Sequence, residues 1–159
     1  MSKIVFGYKI VPVWRGGHYF TVYEDGIVKY KKFVYGLGTT ESKEISIPKT
    51  VVEDLQKCLT DKKSLIDKLP KQIDSWLIDG ACHYFNFMGR QISGWNIMRP
   101  SEEYYKRLEE CAEKLPRNMP EIIQQQHYVL EIFESIYDVL KDYGLKVETS
   151  HFLDCDWEM

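Results

Sequence analysis

The chain has 159 residues, 44% hydrophobic and 28% charged, with a formal net charge of −3. That size supports one buried core without disulfides or metal, and no stretch approaches the roughly 18 apolar residues of a membrane span, nor does the N-terminus read as an export signal. Cys58, Cys82, Cys111 and Cys155 stand at wide, irregular intervals without C-x-x-C spacing, which excludes a sequence-local zinc knuckle or a disulfide scaffold and leaves free thiols in a reducing, cytoplasmic setting as the expectation.

From the N-terminus, Ile4, Phe6, Tyr8 and Ile10 alternate with Val5, Gly7, Lys9 and Val11, the two-residue period of a strand that is apolar on both faces and therefore central. Pro12 marks its end, and Arg15-Gly16-Gly17 marks a turn. A second strand runs from His18 to Tyr23, Asp25-Gly26 supplies a tight hairpin turn, and Ile27 to Tyr35 returns, with Lys29 and Lys31 facing away from Val28 and Tyr30. Gly36 to Ser42 reads as a polar loop, and Ile45 with Ile47 as a short strand ending at Pro48. Thr50-Val51-Val52-Glu53 has capping-box spacing, although Pro48 could open the helix instead. Val51, Val52, Leu55, Cys58 and Leu59 fall on one face of that helix.

Leu65, Ile66 and Leu69 suggest one more helical turn before Pro70. A second set of strands follows: Trp76 to Ile78, a turn at Asp79-Gly80, His83 to Met88, a turn at Gly89-Arg90, and a return through Ile92 to Met98. Ser101 resembles a helix cap, with Tyr104, Leu108, Cys111, Ala112 and Leu115 as the apolar stripe behind it. Asn118-Met119-Pro120-Glu121 starts the strongest helix signal, in which Ile122, Val129, Ile132, Phe133, Ile136 and Leu140 form the stripe and Gly144 the stop.

The segment His18-Tyr19-Phe20-Thr21-Val22-Tyr23 is echoed by His83-Tyr84-Phe85-Asn86-Phe87-Met88. The echo suggests a duplicated unit. The expected fold is therefore α+β: one domain over 1–159, with an antiparallel sheet built from two related strand-strand-helix modules and covered by a long C-terminal helix. The first module occupies 1–61, the second 62–117, and the helix with its acidic tail 118–159.

Five sets of residues invite a chemical reading. His18 and His83 occupy equivalent points of the echo and could serve as bases or ligands, but no carboxylate recurs beside them, so duplication alone accounts for both. Cys82 adjoins His83, yet neighbours on a strand point to opposite faces and share a proton poorly. In the tail, His151, Asp154 and Asp156 offer an imidazole and two carboxylates in the style of a hard-cation site, without further local ligands. Glu131, Glu134, Asp138 and Asp142 form one ridge along the long helix, a surface that steers a basic partner. The high aromatic content, with eleven Tyr, seven Phe and four Trp, suits either strands or a half-wet partner face.

Charge is uneven along the chain: +4 over 1–50, 0 over 51–117 and −7 over 118–159. The acidic end argues against nucleic acid, and no phosphate loop, dinucleotide fingerprint, nucleophile elbow or H-E-x-x-H run occurs. The leading expectation is a non-enzymatic protein-binding module of inhibitor or immunity type, without cofactor or membrane contact, that recognises a basic protein through the acidic ridge. A small hydrolase or metal-dependent enzyme is the alternative, and a homo-oligomeric structural protein, paired through strand edges, the second.

Overall fold

The first strand dictates the rest. Ile4–Pro12 (β1) is apolar on alternate positions and long enough to accept a neighbour on each side, so it becomes the middle strand of seven. The computed structural model describes residues 2–12, 16–34, 36–73, 81–95, 110 and 119–141. The expected elements at Trp76–Ile78 and, except for Glu110, Ser101–Leu115, together with Cys111, Asp142, Gly144 and the whole tail, lie outside the described residues.

The remaining elements are β2 (Gly17–Tyr23), β3 (Ile27–Val34), β4 (Gly38–Ser46), α1 (Lys49–Asp61), α2 (Lys63–Asp67), β5 (Gln72–Ile73), β6 (Ala81–Phe87), β7 (Arg90–Trp95) and α3 (Met119–Lys141). The sheet order is β4-β3-β2-β1-β6-β7-β5. Five of the neighbouring pairs are antiparallel, but β5 runs parallel to β7, with Gln72 opposite Ser93 and Ile73 opposite Gly94. The sheet is thus mixed rather than antiparallel. The chain leaves the opposite edge at β4, and α1 and α2 carry it to the far edge, where Gln72–Ile73 lies beside β7 in that strand's own direction. Two residues after a proline carry no alternation from which this could be read.

The two echoed segments flank β1 at one register. Ile10 faces His18 on one side and His83 on the other; Lys9 faces Tyr19 and Tyr84; Tyr8 faces Phe20 and Phe85; Phe6 faces Val22 and Phe87. Alternate side chains then sort onto opposite faces. On one face, Phe6 stacks on Phe87 with ring centroids 6.1 Å apart, and Phe133 of α3 meets Tyr8 edge-on at 5.5 Å and Phe85 at 6.0 Å. Val129, Ile132, Phe133, Ile136 and Leu140 are buried, as are Val51, Val52, Leu55 and Leu59 of α1. Cys58 is half-buried beside this core, where burial pushes its thiol pKa up.

Three local expectations change. Thr50 and Glu53 form no capping box: Pro48 is the N-cap, no side chain caps the helix, and the Pro48 carbonyl accepts from the Val51 and Val52 amides. The span Gly36 to Ser42 is mostly strand, because β4 begins at Gly38 and pairs along β3. Nearly every β4 residue is exposed, so no apolar alternation announces it. The turn between β6 and β7 centres on Met88 and Gly89, with φ of 50° and 94°, the geometry of a two-residue primed turn.

The hairpin of β2 and β3 turns through Glu24-Asp25-Gly26, where only Gly26 has positive φ, at 87°. A Cβ there would stand 2.7 Å from the Ile47 carbonyl oxygen. Gly26→Ala is therefore expected to cost about 1–3 kcal/mol through left-handed strain and the clash together. Urea unfolding checks this, and an unchanged midpoint would refute it.

Candidate functional site: the open face of the sheet

The helices α1 and α3 pack on one face of the sheet, and on the opposite face no described helix lies. A row of side-chain positions crosses that open face through all seven strands: Ser42, Lys31, Tyr19, Lys9, Tyr84, Ser93 and Gln72 stand opposite one another in turn. A second row is Glu44, Lys29, Thr21, Gly7, Asn86 and Gln91. Strand alternation places both rows on the same side, away from Phe6, Tyr8 and Ile10.

Lys9 is the centre. Its Nζ lies 4.6 Å from the Tyr19 ring centroid and 5.4 Å from that of Tyr84, so one ammonium is held by a ring from each echoed segment. Lys29 Nζ lies 5.4 Å above Tyr23, and Tyr19 also leans on Phe33 at 5.1 Å. Each cation–π contact at such a half-exposed site contributes about 0.5–1 kcal/mol. Among the described residues, Lys9, Lys29, Lys31 and Lys71 have no carboxylate within ion-pairing distance. Around Gly7, which contributes no side chain, these strands shape a shallow groove of about 770 Å³ bordered by Lys9, Tyr19, Lys71, Tyr84 and Asn86. Tyr84 is 44% exposed. Its hydroxyl pKa is raised, chiefly by hydrogen bonding and charge interaction with the Cys82 thiol and less by burial.

The other sequence candidates fall elsewhere. His18 and His83 lie in one row on the helix side, with Ile10 between them. His18 Nδ1 shares a 3.0 Å hydrogen bond with the Tyr30 hydroxyl. His83 is fully buried, stacks on Phe85 at 6.5 Å, and is held neutral by burial, with its pKa lowered to about 3. Cys82 is buried and belongs to the alternation of the open face, paired with Val11 and Trp95. Cys82 and His83 therefore point to opposite sides of the sheet.

Of the helix ridge, Glu131 accepts from Lys62 Nζ at 2.9 Å and Asp138 from Lys141 Nζ at 3.0 Å. Both pairs are exposed, so each contributes little to stability, yet each lowers the ridge's net negative field. Glu134 is half-buried. Asp142, His151, Asp154 and Asp156 lie outside the described residues, and among the described residues no three His, Cys, Asp or Glu side chains gather as a metal site.

The open face escaped sequence reading because its residues are ordinary singly. The sequence signal was the echo, and it is the pairing of both segments with β1 at one register that brings their tyrosines to Lys9. Among the described residues, no helix is long and apolar enough to cross a membrane. The chain matches no protein-family model and no curated protein.

Proposed function

We propose that the chain is a non-enzymatic protein-binding module of inhibitor or immunity type, acting in the cytoplasm, which receives an acidic surface of its partner on the open face of the sheet. The observation that carries this reading is the alternating Lys31-Tyr19-Lys9-Tyr84 row. Tyrosine supplies wide, amphipathic contact area at small entropic cost. A lysine is normally a poor interface residue because ordering it is expensive, but Lys9 already lies between two rings, whose contacts offset part of that cost. Four lysines not engaged in ion pairs among the described residues, of which Lys29 alone has a carboxylate directly opposite it, Glu44, favour an anionic counterpart. The acidic remainder of the chain disfavours nucleic acid as that counterpart.

In this reading the modules 1–61 and 62–117 are related repeats, each supplying one tyrosine to Lys9, and the long helix covers the other face. Tagged protein incubated with native-host lysate at low and at high salt tests the reading, with K9E/K31E beside it. An acidic protein retained at low salt by the parent and lost by the variant supports it; identical capture by both proteins overturns it.

The exposure of Glu131 and Asp138 keeps a second reading open, in which the flank of α3 takes a basic partner. Replacing Glu131, Glu134, Asp138 and Asp142 by neutral residues is then expected to weaken capture, most at low salt. Unchanged retention would remove the ridge.

A further inference from the structure

We infer that β4 is a pairing edge at which two copies of this chain join, antiparallel and centred on Ser42, so that their two Lys/Tyr rows become one. The strand is outermost, eight of its nine residues are exposed, and no described strand lies beyond it. Its outer N–H and C=O groups are a template for another strand. Charged residues on such an edge ordinarily repel a copy of themselves. Here the signs alternate: Glu41 and Lys43 lie on the same side of the strand, bridged at 2.7 Å.

A twofold axis through Ser42 sets Glu41 against Lys43 of the second copy, and Lys43 against its Glu41. Thr40 then meets Glu44. Antiparallel partners directly opposite are close enough for such charges to pair. Centring on Lys43 instead would oppose two lysines, and centring between Ser42 and Lys43 would oppose Glu41 with Glu44. Centring between Lys43 and Glu44 also pairs opposite signs, but it turns the helix layer of one copy to the other side of the sheet.

The Ser42 register is the complementary one that keeps both helix layers on one side. It also carries a functional consequence, because Ser42 is the end of the open-face row, next to Lys31. Pairing Ser42 with its own copy runs Lys9-Tyr19-Lys31 of one molecule into Lys31-Tyr19-Lys9 of the other, doubling the site. That consequence rests on the binding reading above; the pairing itself does not, and is measured without any partner. Thr40 is the extra residue of a bulge opposite Lys32 and Phe33, which limits the flat ladder to a short stretch. A weak, salt-sensitive dimer follows.

Sedimentation equilibrium at low salt over a wide concentration range tests it with four samples. The parent is expected to dimerise, and E41K and K43E each to lose at least tenfold in association. An equimolar mixture of E41K with K43E is expected to recover it, because both cross-strand pairs regain opposite signs; so is the double swap E41K/K43E. Recovery also shows that the variants are folded. A parent that stays monomeric at all concentrations, a dimer indifferent to the single swaps, or a mixture that fails to recover each overturns the inference.

Discussion

Reversing two charges in the open-face row, K9E/K31E, is expected to weaken partner binding by two orders of magnitude or more, about 3 kcal/mol. Lys9 and Lys31 stand on either side of Tyr19 in the same row, so an acidic partner that reaches one reaches the other. Replacing a complementary charge by a like charge at an interface costs several kcal/mol, more than losing a neutral contact. The rings can be separated from the charges. Tyr19→Phe and Tyr84→Phe keep the surfaces that hold Lys9 and are expected to retain most affinity; Tyr19→Ala with Tyr84→Ala frees the lysine and is expected to lose at least tenfold.

Fold stability should hardly follow. Losing the contacts of Lys9 removes about 1–2 kcal/mol at most, and the residue touches the groove rather than the core. Calorimetric titration of the parent and each variant with the captured partner, alongside thermal melts, separates the two effects. Equal affinity for parent and K9E/K31E would sink the assignment of the open face, and a loss of affinity that tracked a loss of stability would reduce Lys9 to a structural residue.

What the sequence made legible, and what it hid, follows from the strength of each physical signal. The stripe Ile122, Val129, Ile132, Phe133, Ile136 and Leu140 is buried throughout, because a long amphipathic helix repeats its signal over many turns. The central place of β1 was legible from its length and apolar content, although the face that carries Gly7 and Lys9 borders the open groove instead of lying under a second described layer. By contrast, β4 carries Gly38-Thr39-Thr40-Glu41-Ser42-Lys43-Glu44, with neither period, and forms because β3 offers a free edge beside it. Its strand character is imposed from outside. The parallel strand β5 is two residues long and is likewise defined by its neighbour.

The candidate site was hidden for a related reason. Lys9, Tyr19, Lys31 and Tyr84 are far apart in the chain, and only registry makes them a row. The helix ridge could be seen because its members are three and four residues apart, and Lys141, three residues after Asp138, was readable at the same spacing; the cation that answers Glu131 had to be found in space, because Lys62 comes from the junction of α1 and α2.

The buried imidazole of His83 gives the protein a pH dependence of definite sign. Its pKa is about 3 in the folded state against an ordinary 6.5, and burial is the cause. Above pH 6.5 the ring is neutral in folded and unfolded chains alike, and it contributes no slope. Between 6.5 and about 3 the unfolded chain binds a proton that the folded chain refuses, so stability falls as pH falls, by about 1.4 kcal/mol per unit. Between pH 7 and pH 5 the loss assigned to this residue is about 2 kcal/mol.

His83→Phe is the informative variant. A phenyl ring occupies similar space beside Phe85 and Ile10 and cannot take up a proton. Other titrating groups are common to both proteins, so the difference between their acid limbs isolates His83. Urea unfolding at pH 7 and pH 5 should show the parent losing more stability on acidification than H83F. In the parent itself, the His83 ring resonances should stay unmoved by NMR from pH 7 to pH 5, which serves even if the variant does not fold. Equal acid losses in the two proteins, or a ring that titrates near neutrality, would mean that water reaches the imidazole. His83 would then be chemically available on the helix side of the sheet, and the enzymatic alternative would regain its nearest base.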